Sequence, residues 1–124
     1  MSEDTKTVLI ADDDEISMLY MKRMLEEFNV VLLEAKNGAE AVEICHKHPE
    51  ISLVLMDINM PELNGFDASK QIKQFRPQLT MIAQTAYAFE HDIENYKDPF
   101  DGYITKPIKT DQIKQFICNE LYNI

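Results

Sequence analysis

Cysteine is scarce, long apolar runs are missing, and basic residues are outnumbered. The two cysteines, Cys45 and Cys118, stand far apart and in no metal-ligand spacing. They make no disulfide framework, and both are expected to be reduced thiols, buried or half-buried, in a cytosolic setting. No apolar run approaches the ~20 residues that a membrane span needs. The opening stretch, Met1 to Thr7, is polar and carries no signal-peptide core. The expectation is a cytoplasmic domain without membrane contact. Lysine and arginine together number 12 against 22 acidic residues, a net charge of −10. That balance argues against direct nucleic-acid binding, because phosphate backbones repel an acidic surface. It suits a cation or a basic partner surface. There is no low-complexity segment or interdomain linker, and a length of 124 residues suits a single domain over 1–124, with its core at about 7–122.

What is present is an alternation of short apolar runs with longer amphipathic stretches. Val8–Ala11 reads as a strand buried on both faces and stops at Asp12-Asp13-Asp14. A helix is expected from Glu15 to Phe28, with Asp14 as its N-cap. Val30–Ala35 reads as a second strand. After the Asn37-Gly38 turn signal a helix is expected over Ala39–His46. Ile51–Met56 is a third strand ending at Asp57, and Phe66–Phe75 a third helix. Met81–Gln84 is a short fourth strand, Glu90–Lys97 a weak helix bounded by Pro99, and Tyr103–Thr105 a fifth strand. The last helix is expected over Asp111–Tyr122, with Ile113, Phe116, Ile117 and Leu121 in one apolar stripe. Five such units imply an α/β fold, a doubly wound parallel sheet covered by helices on both faces.

In sheets of this kind the working polar residues lie just past the carboxyl ends of the strands. Those ends supply Asp12 and Asp13, then Asp57, then Thr85, then Lys106. If the first and third strands are neighbours, three carboxylates converge in one crevice. Close carboxylates raise one another's pKa unless a cation neutralises them. Hard oxygen ligands suit Mg²⁺, which completes its shell with water and substrate phosphate. Lys106 offers a positive charge to a phosphate oxygen and Thr85 a hydroxyl. Phosphoryl transfer requires mainly positioning and charge neutralisation, so a carboxylate nucleophile, a divalent ion and an ammonium form a sufficient set.

Ile10-Ala11-Asp12-Asp13, Leu55-Met56-Asp57-Ile58-Asn59-Met60-Pro61 with Gly65, Thr85-Ala86, and Tyr103-Ile104-Thr105-Lys106-Pro107 together resemble the receiver (response-regulator) family of two-component systems. The resemblance covers essentially the whole chain, in order. It implies a flavodoxin-like five-stranded sheet of order 2-1-3-4-5. It also implies that Asp57 is phosphorylated and that Asp12, Asp13 and Asp57 itself hold Mg²⁺, Asp13 directly and Asp12 largely through water. The backbone carbonyl of Asn59 is implied as a further ligand and Lys106 as the phosphate's partner. The Lys106-Pro107 bond is expected to be cis, a state cheap for X-Pro bonds. Thr85 and Tyr103 resemble a switch pair, in which the hydroxyl moves toward the phosphate and the ring turns inward. Asn59 and Tyr87 fall where the family tunes phosphoryl lifetime, and a bulky Tyr87 is expected to shield the acyl phosphate from water. The implied partner is a histidine kinase or a histidine phosphotransfer domain, and the implied state a monomer or weak dimer. On this reading the domain catalyses its own phosphotransfer and autodephosphorylation. Gln84-Thr85-Ala86-Tyr87-Ala88 and Lys106-Pro107-Ile108 look like receivers fused to hybrid sensor kinases.

Some features stand apart. The segment Lys97–Gly102 lacks the usual Ala-Gly-Ala-Asp type of turn and looks one residue short, and Pro99 cannot continue a helix. The first helix carries two apolar stripes, Ile16/Tyr20/Met24 and Met18/Met21/Leu25/Phe28; one should face the sheet, and the other is extra core or a docking surface. His46, His48 and His91 are expected to be exposed. Asp12-x-Asp14 also resembles the nucleophile motif of haloacid-dehalogenase-type phosphatases, in which Asp12 would attack small phosphate esters; that reading leaves Asp57 unexplained. A third reading is an interaction module with a vestigial site.

Overall fold

The computed structural model of the chain describes residues 5–58, 60, 63–85, 100–105 and 109–121, with residues 120 and 121 described without their side chains. Its five strands are β1 (Lys6–Ala11), β2 (Val30–Ala35), β3 (Ile51–Asp57), β4 (Thr80–Thr85) and β5 (Gly102–Thr105). All pair in parallel, in the order β2-β1-β3-β4-β5. The helices are α1 (Glu15–Leu25), α2 (Gly38–Lys47), α3 (Gly65–Phe75) and, after β5, α4 (Thr110–Leu121). The expected architecture and strand order are therefore present. The weak helix over Glu90–Lys97 falls outside the described residues. None of the described helices is long and apolar enough to cross a membrane.

Side chains alternate along each strand, so the sheet feeds two cores. On one face Leu9, Val54, Met56 and Met81 pack against Ala41 and Cys45 of α2 and Ala68 and Ile72 of α3. On the other, Ile10, Leu55, Ile82 and Ile104 pack against Met18, Met21 and Leu25 of α1 and Ile113 and Ile117 of α4. Because both faces are covered, the strands are continuous apolar runs. Cys45 is buried and Cys118 half-buried, and both are free thiols. Burial pushes the Cys45 thiol up to about 11, against a smaller opposing pull from Arg76, so it stays protonated and unreactive at neutral pH.

The helices α1, α2 and α3 each start on a side-chain cap. Asp14 accepts from the Ile16 N–H at 3.1 Å, Asn37 from the Glu40 N–H at 2.8 Å, and Asn64 from the Asp67 N–H at 2.9 Å. The end of α1 differs from expectation. The helix stops at Leu25, and the chain leaves through tighter turns in which Glu26 N–H donates to Arg23 and Phe28 N–H to Leu25. The stripe Met18, Met21 and Leu25 faces the sheet, and Met24 joins it. Ile16 and Tyr20 are left outside, together with Leu19. His46 is exposed as expected, its ring stacked on Phe75. His48 is instead half-buried in the α2–β3 turn, its Nδ1 lying 2.9 Å from the Glu50 carboxylate. His91 falls outside the described residues.

Two contacts bear on the site. Asp101, in the stretch that departs from the family turn, accepts from the Met81 N–H at 2.8 Å and from Lys73 at 3.1 Å. It thereby fixes where β4 begins. Gly65, at the start of α3, donates its N–H to the Ile58 carbonyl at 2.9 Å and lies so close to the backbone of Asp57 that a Cβ there would overlap the Asp57 carbonyl. Neither backbone can yield cheaply. Gly65→Ala is expected to cost about 3 kcal/mol of unfolding free energy in a urea titration; wild-type stability in that variant would contradict the close approach.

Candidate functional site

The carboxyl ends of five parallel strands gather at one edge of the sheet, and the order 2-1-3 places β1 beside β3 at the point where the crossovers change direction. The Asp12 N–H donates to the Ala35 carbonyl at 3.0 Å, so the β1–β2 ladder runs one residue past the strand and fixes this residue's backbone. The Asp12 carboxylate in turn accepts the Asp14 N–H at 2.9 Å, a turn that bends the chain into α1. Three consecutive aspartates thus separate into three tasks. Asp12 is 1% exposed and forms the turn, Asp13 projects outward, and Asp14 caps the helix.

Asp57 closes β3 at 4% exposure. The Ile58 N–H donates to the Gln84 carbonyl at 3.1 Å, which carries the β3–β4 ladder past the acidic residue. Carboxylate oxygens of Asp12, Asp13 and Asp57 all lie within 4.8 Å of one another. The convergence expected of residues distant in the chain is present. Three carboxylates at this spacing repel one another, and their oxygens are hard donors, so the arrangement fits a divalent cation of the Mg²⁺ type.

Thr85 ends β4 and is 5% exposed. By register Ala83 pairs with Tyr103 and Thr85 with Thr105, so Thr85 and Tyr103 share the sheet face covered by α2 and α3. Tyr103 is 42% exposed. Asn59, Tyr87, Lys106 and Pro107 lie outside the described residues, as does the Lys106-Pro107 bond.

The sequence reading passed over two features. A groove of about 310 Å³ opens from Asp12 and Asp13, with Leu19 and Lys22 of α1 on one wall and Glu34 and Lys36 of the β2 end on the other. Lys22 and Glu34 form an ion pair at 2.8 Å across it. The exposed stripe Ile16, Leu19, Tyr20 runs alongside on α1. Gln84, the last residue of the short fourth strand expected from sequence, is a fully buried polar residue in register with Asp57.

The family profile of the response regulator receiver domain matches residues 8–118. The chemotaxis protein CheY of Halobacterium salinarum is 37% identical over 117 residues, covering 94% of this chain and 97% of that protein. The autoinducer 1 sensor kinase/phosphatase LuxN of Vibrio harveyi is 34% identical over 121 residues, covering 98% of this chain but only 14% of that protein. A chain from the co-crystal structure of the Saccharomyces cerevisiae histidine phosphotransfer protein Ypd1 with the receiver domain of Ssk1 superimposes with a TM-score of 0.85 at 27% identity, covering 95% of this chain and 90% of that one. With its sheet order, its aspartate cluster and a profile match over nearly its full length, the chain belongs to the response regulator receiver domain family of two-component systems.

Proposed function

We propose that this receiver takes a phosphoryl group from a phosphohistidine onto Asp57, with Mg²⁺ held by Asp12 and Asp13. The observation that carries this is the meeting of Asp57 with the other two carboxylates at a buried strand end. A carboxylate oxygen of Asp57 attacks phosphorus, the P–N bond to the donor imidazole breaks, and the electron pair leaves with the imidazole. Water later cleaves the acyl phosphate and returns the carboxylate and inorganic phosphate. When bound, the divalent ion supplies neutralisation of the charge on the phosphoryl oxygens. Asp13 is the outward ligand, and Asp12, tied into the turn by the Asp14 N–H, orients the site from below. The Asn59 carbonyl completes the protein's ligands, and Lys106 pairs with the phosphoryl oxygens. Thr85 and Tyr103 form the readout pair: the hydroxyl turns to the phosphoryl group, and the ring turns inward.

The haloacid-dehalogenase reading leaves Asp57 idle in the centre of the cluster and uses an Asp14 whose carboxylate is occupied as a helix cap. The free thiols favour a reducing, cytoplasmic setting. The match to one stretch of a much longer sensor kinase favours a place in a hybrid kinase as much as a stand-alone regulator.

The first test is incubation with acetyl phosphate and Mg²⁺ followed by peptide mapping. Label is expected on Asp57 and is expected to vanish in Asp57→Asn and on chelation of the metal. Label on Asp12, or undiminished label in Asp57→Asn, would overturn the assignment. The donor protein is expected to seat on the exposed apolar α1 stripe beside Asp13; the similar Ssk1 receiver was co-crystallised with a histidine phosphotransfer protein. Ile16 is 79% exposed, so Ile16→Glu leaves the fold intact. It is expected to slow transfer from a phosphorylated histidine phosphotransfer domain by about tenfold, the loss of one apolar anchor. Labelling by acetyl phosphate should be unchanged. A wild-type rate of transfer from the phosphotransfer domain to Ile16→Glu would place the docking surface elsewhere.

A further inference from the structure

Two glycines hold one short stretch of chain from opposite sides. Gly65, at the start of α3, lies against the backbone of Asp57. Two residues earlier in the chain, the Leu63 carbonyl lies against Gly38, the first residue of α2, so closely that a Cβ at position 38 would overlap that carbonyl. The same Cβ would stand 3.1 Å from the Ala68 Cβ of α3. Helix α2 thus meets the chain between β3 and α3 backbone to backbone.

Both sides of that contact are anchored. On the α2 side the Asn37 side chain accepts the Glu40 N–H at 2.8 Å, and the Glu40 carboxylate accepts the Lys36 N–H at 2.8 Å. Ala41 and Cys45 press the helix onto the sheet. On the other side the Leu63 side chain packs against the same core, Asn64 caps α3, and the Gly65 N–H is tied to the Ile58 carbonyl. Close-packed backbone passes a displacement on and absorbs little of it. The path is short. It runs from Gly38 to Leu63, through Asn64 to Gly65, and from Gly65 to Asp57, the member of the aspartate cluster that β3 supplies.

We propose that Gly38 is a positioning residue for the cation site: having no side chain, it lets Leu63, Asn64 and Gly65 lie where they brace Asp57 at the spacing from Asp12 and Asp13 that a divalent ion requires. The inference rests on the reading of the three aspartates as a Mg²⁺ site, and it adds to that site a residue of α2, which supplies none of the carboxylates. Mg²⁺ demands near-ideal octahedral geometry, so its site tolerates little movement of a ligand. A Cβ at position 38 pushes the Leu63 carbonyl away from α2, and the stretch carries that push to the Asp57 backbone. The contact also works in reverse: when the carboxylates draw together around an ion, the surroundings of Gly38 change.

The test is a Mg²⁺ titration of the intact, chelator-treated chain, followed by backbone amide signals in ¹H–¹⁵N spectra. In the wild type the Gly38 amide is expected to shift along the same binding curve as the Asp13 amide, whereas the Cys45 amide, near the other end of α2, stays in place. In Gly38→Ala the Mg²⁺ dissociation constant is expected to rise about tenfold, as when a group supporting a metal ligand from behind is altered. Cys45→Ala, a buried change in the same helix, lowers stability and is expected to leave the constant unchanged. Both variants are measured at a temperature where circular dichroism shows them folded; if Gly38→Ala does not fold, the wild-type Gly38 signal decides. A Gly38 signal unmoved at Mg²⁺ saturation, an unchanged constant in Gly38→Ala, or an equal rise in both variants overturns the inference and leaves the cation site intact. A wild-type chain in which Mg²⁺ moves none of the Asp12, Asp13 and Asp57 signals overturns the cation-site reading, and this inference with it.

Discussion

Repulsion among three carboxylates is the constraint around which this end of the molecule is arranged. Asp12, Asp13 and Asp57 have oxygens within 4.8 Å of one another, and two of the three are nearly inaccessible to water. Such crowding is unfavourable in a bare protein and favourable around a divalent ion. The surroundings are built to hold the groups in place despite that cost. The Ala35 carbonyl anchors the Asp12 backbone, the Asp14 N–H holds the Asp12 carboxylate, and the Gln84 carbonyl and Gly65 N–H brace the residue after Asp57 from two sides. Four elements distant in the chain thus converge on one rigid strand end.

The same arrangement brings both faces of the sheet next to the aspartate cluster. Asp57 and Gln84 face the layer of α1 and α4, whereas Thr85 and Tyr103 face the opposite layer. Gln84 and Thr85, successive residues of β4, thus lie on opposite faces of the sheet at the end where Asp57 sits. Tyr103 is 42% exposed. On the α1 side, Ile16, Leu19 and Tyr20 are exposed beside the carboxylates, so a partner resting there touches the same edge of the sheet.

Most of the architecture was legible because buried parallel strands write themselves as unbroken apolar runs, and turns as Asn-Gly or Pro punctuation. The acidic cluster was legible because strand ends in such a fold share one edge, which brings Asp12 and Asp57 together across forty-five residues of sequence. Orientation around α1 was harder. Both stripes of that helix are apolar, and only packing shows that Met24 turns inward with Met21 while Ile16 and Tyr20 turn out. The end of α1 was misplaced because its last apolar residue, Phe28, packs against the core from a turn and not from the helix. Asp101 looked like part of an irregular loop; its hold on the Met81 N–H is a long-range contact that local pattern does not encode. Gln84 was missed for a related reason, since a single amide at the end of an apolar run reads as a strand leaving the core, whereas β5 covers it.

Apart from a cation these carboxylates repel one another, and a divalent ion relieves that repulsion. The most direct measurement is Mg²⁺ binding and thermal stability of Asp13→Asn beside the wild-type chain, in chelator and in Mg²⁺. Removing one of the three charges is expected to stabilise the metal-free variant by about 1 kcal/mol, since a partly screened repulsion is lost. The same change is expected to weaken Mg²⁺ binding by at least about tenfold, since a ligand oxygen loses its charge. A variant that is no more stable without metal and binds Mg²⁺ as tightly as wild type would contradict the claim that these aspartates form one cation site.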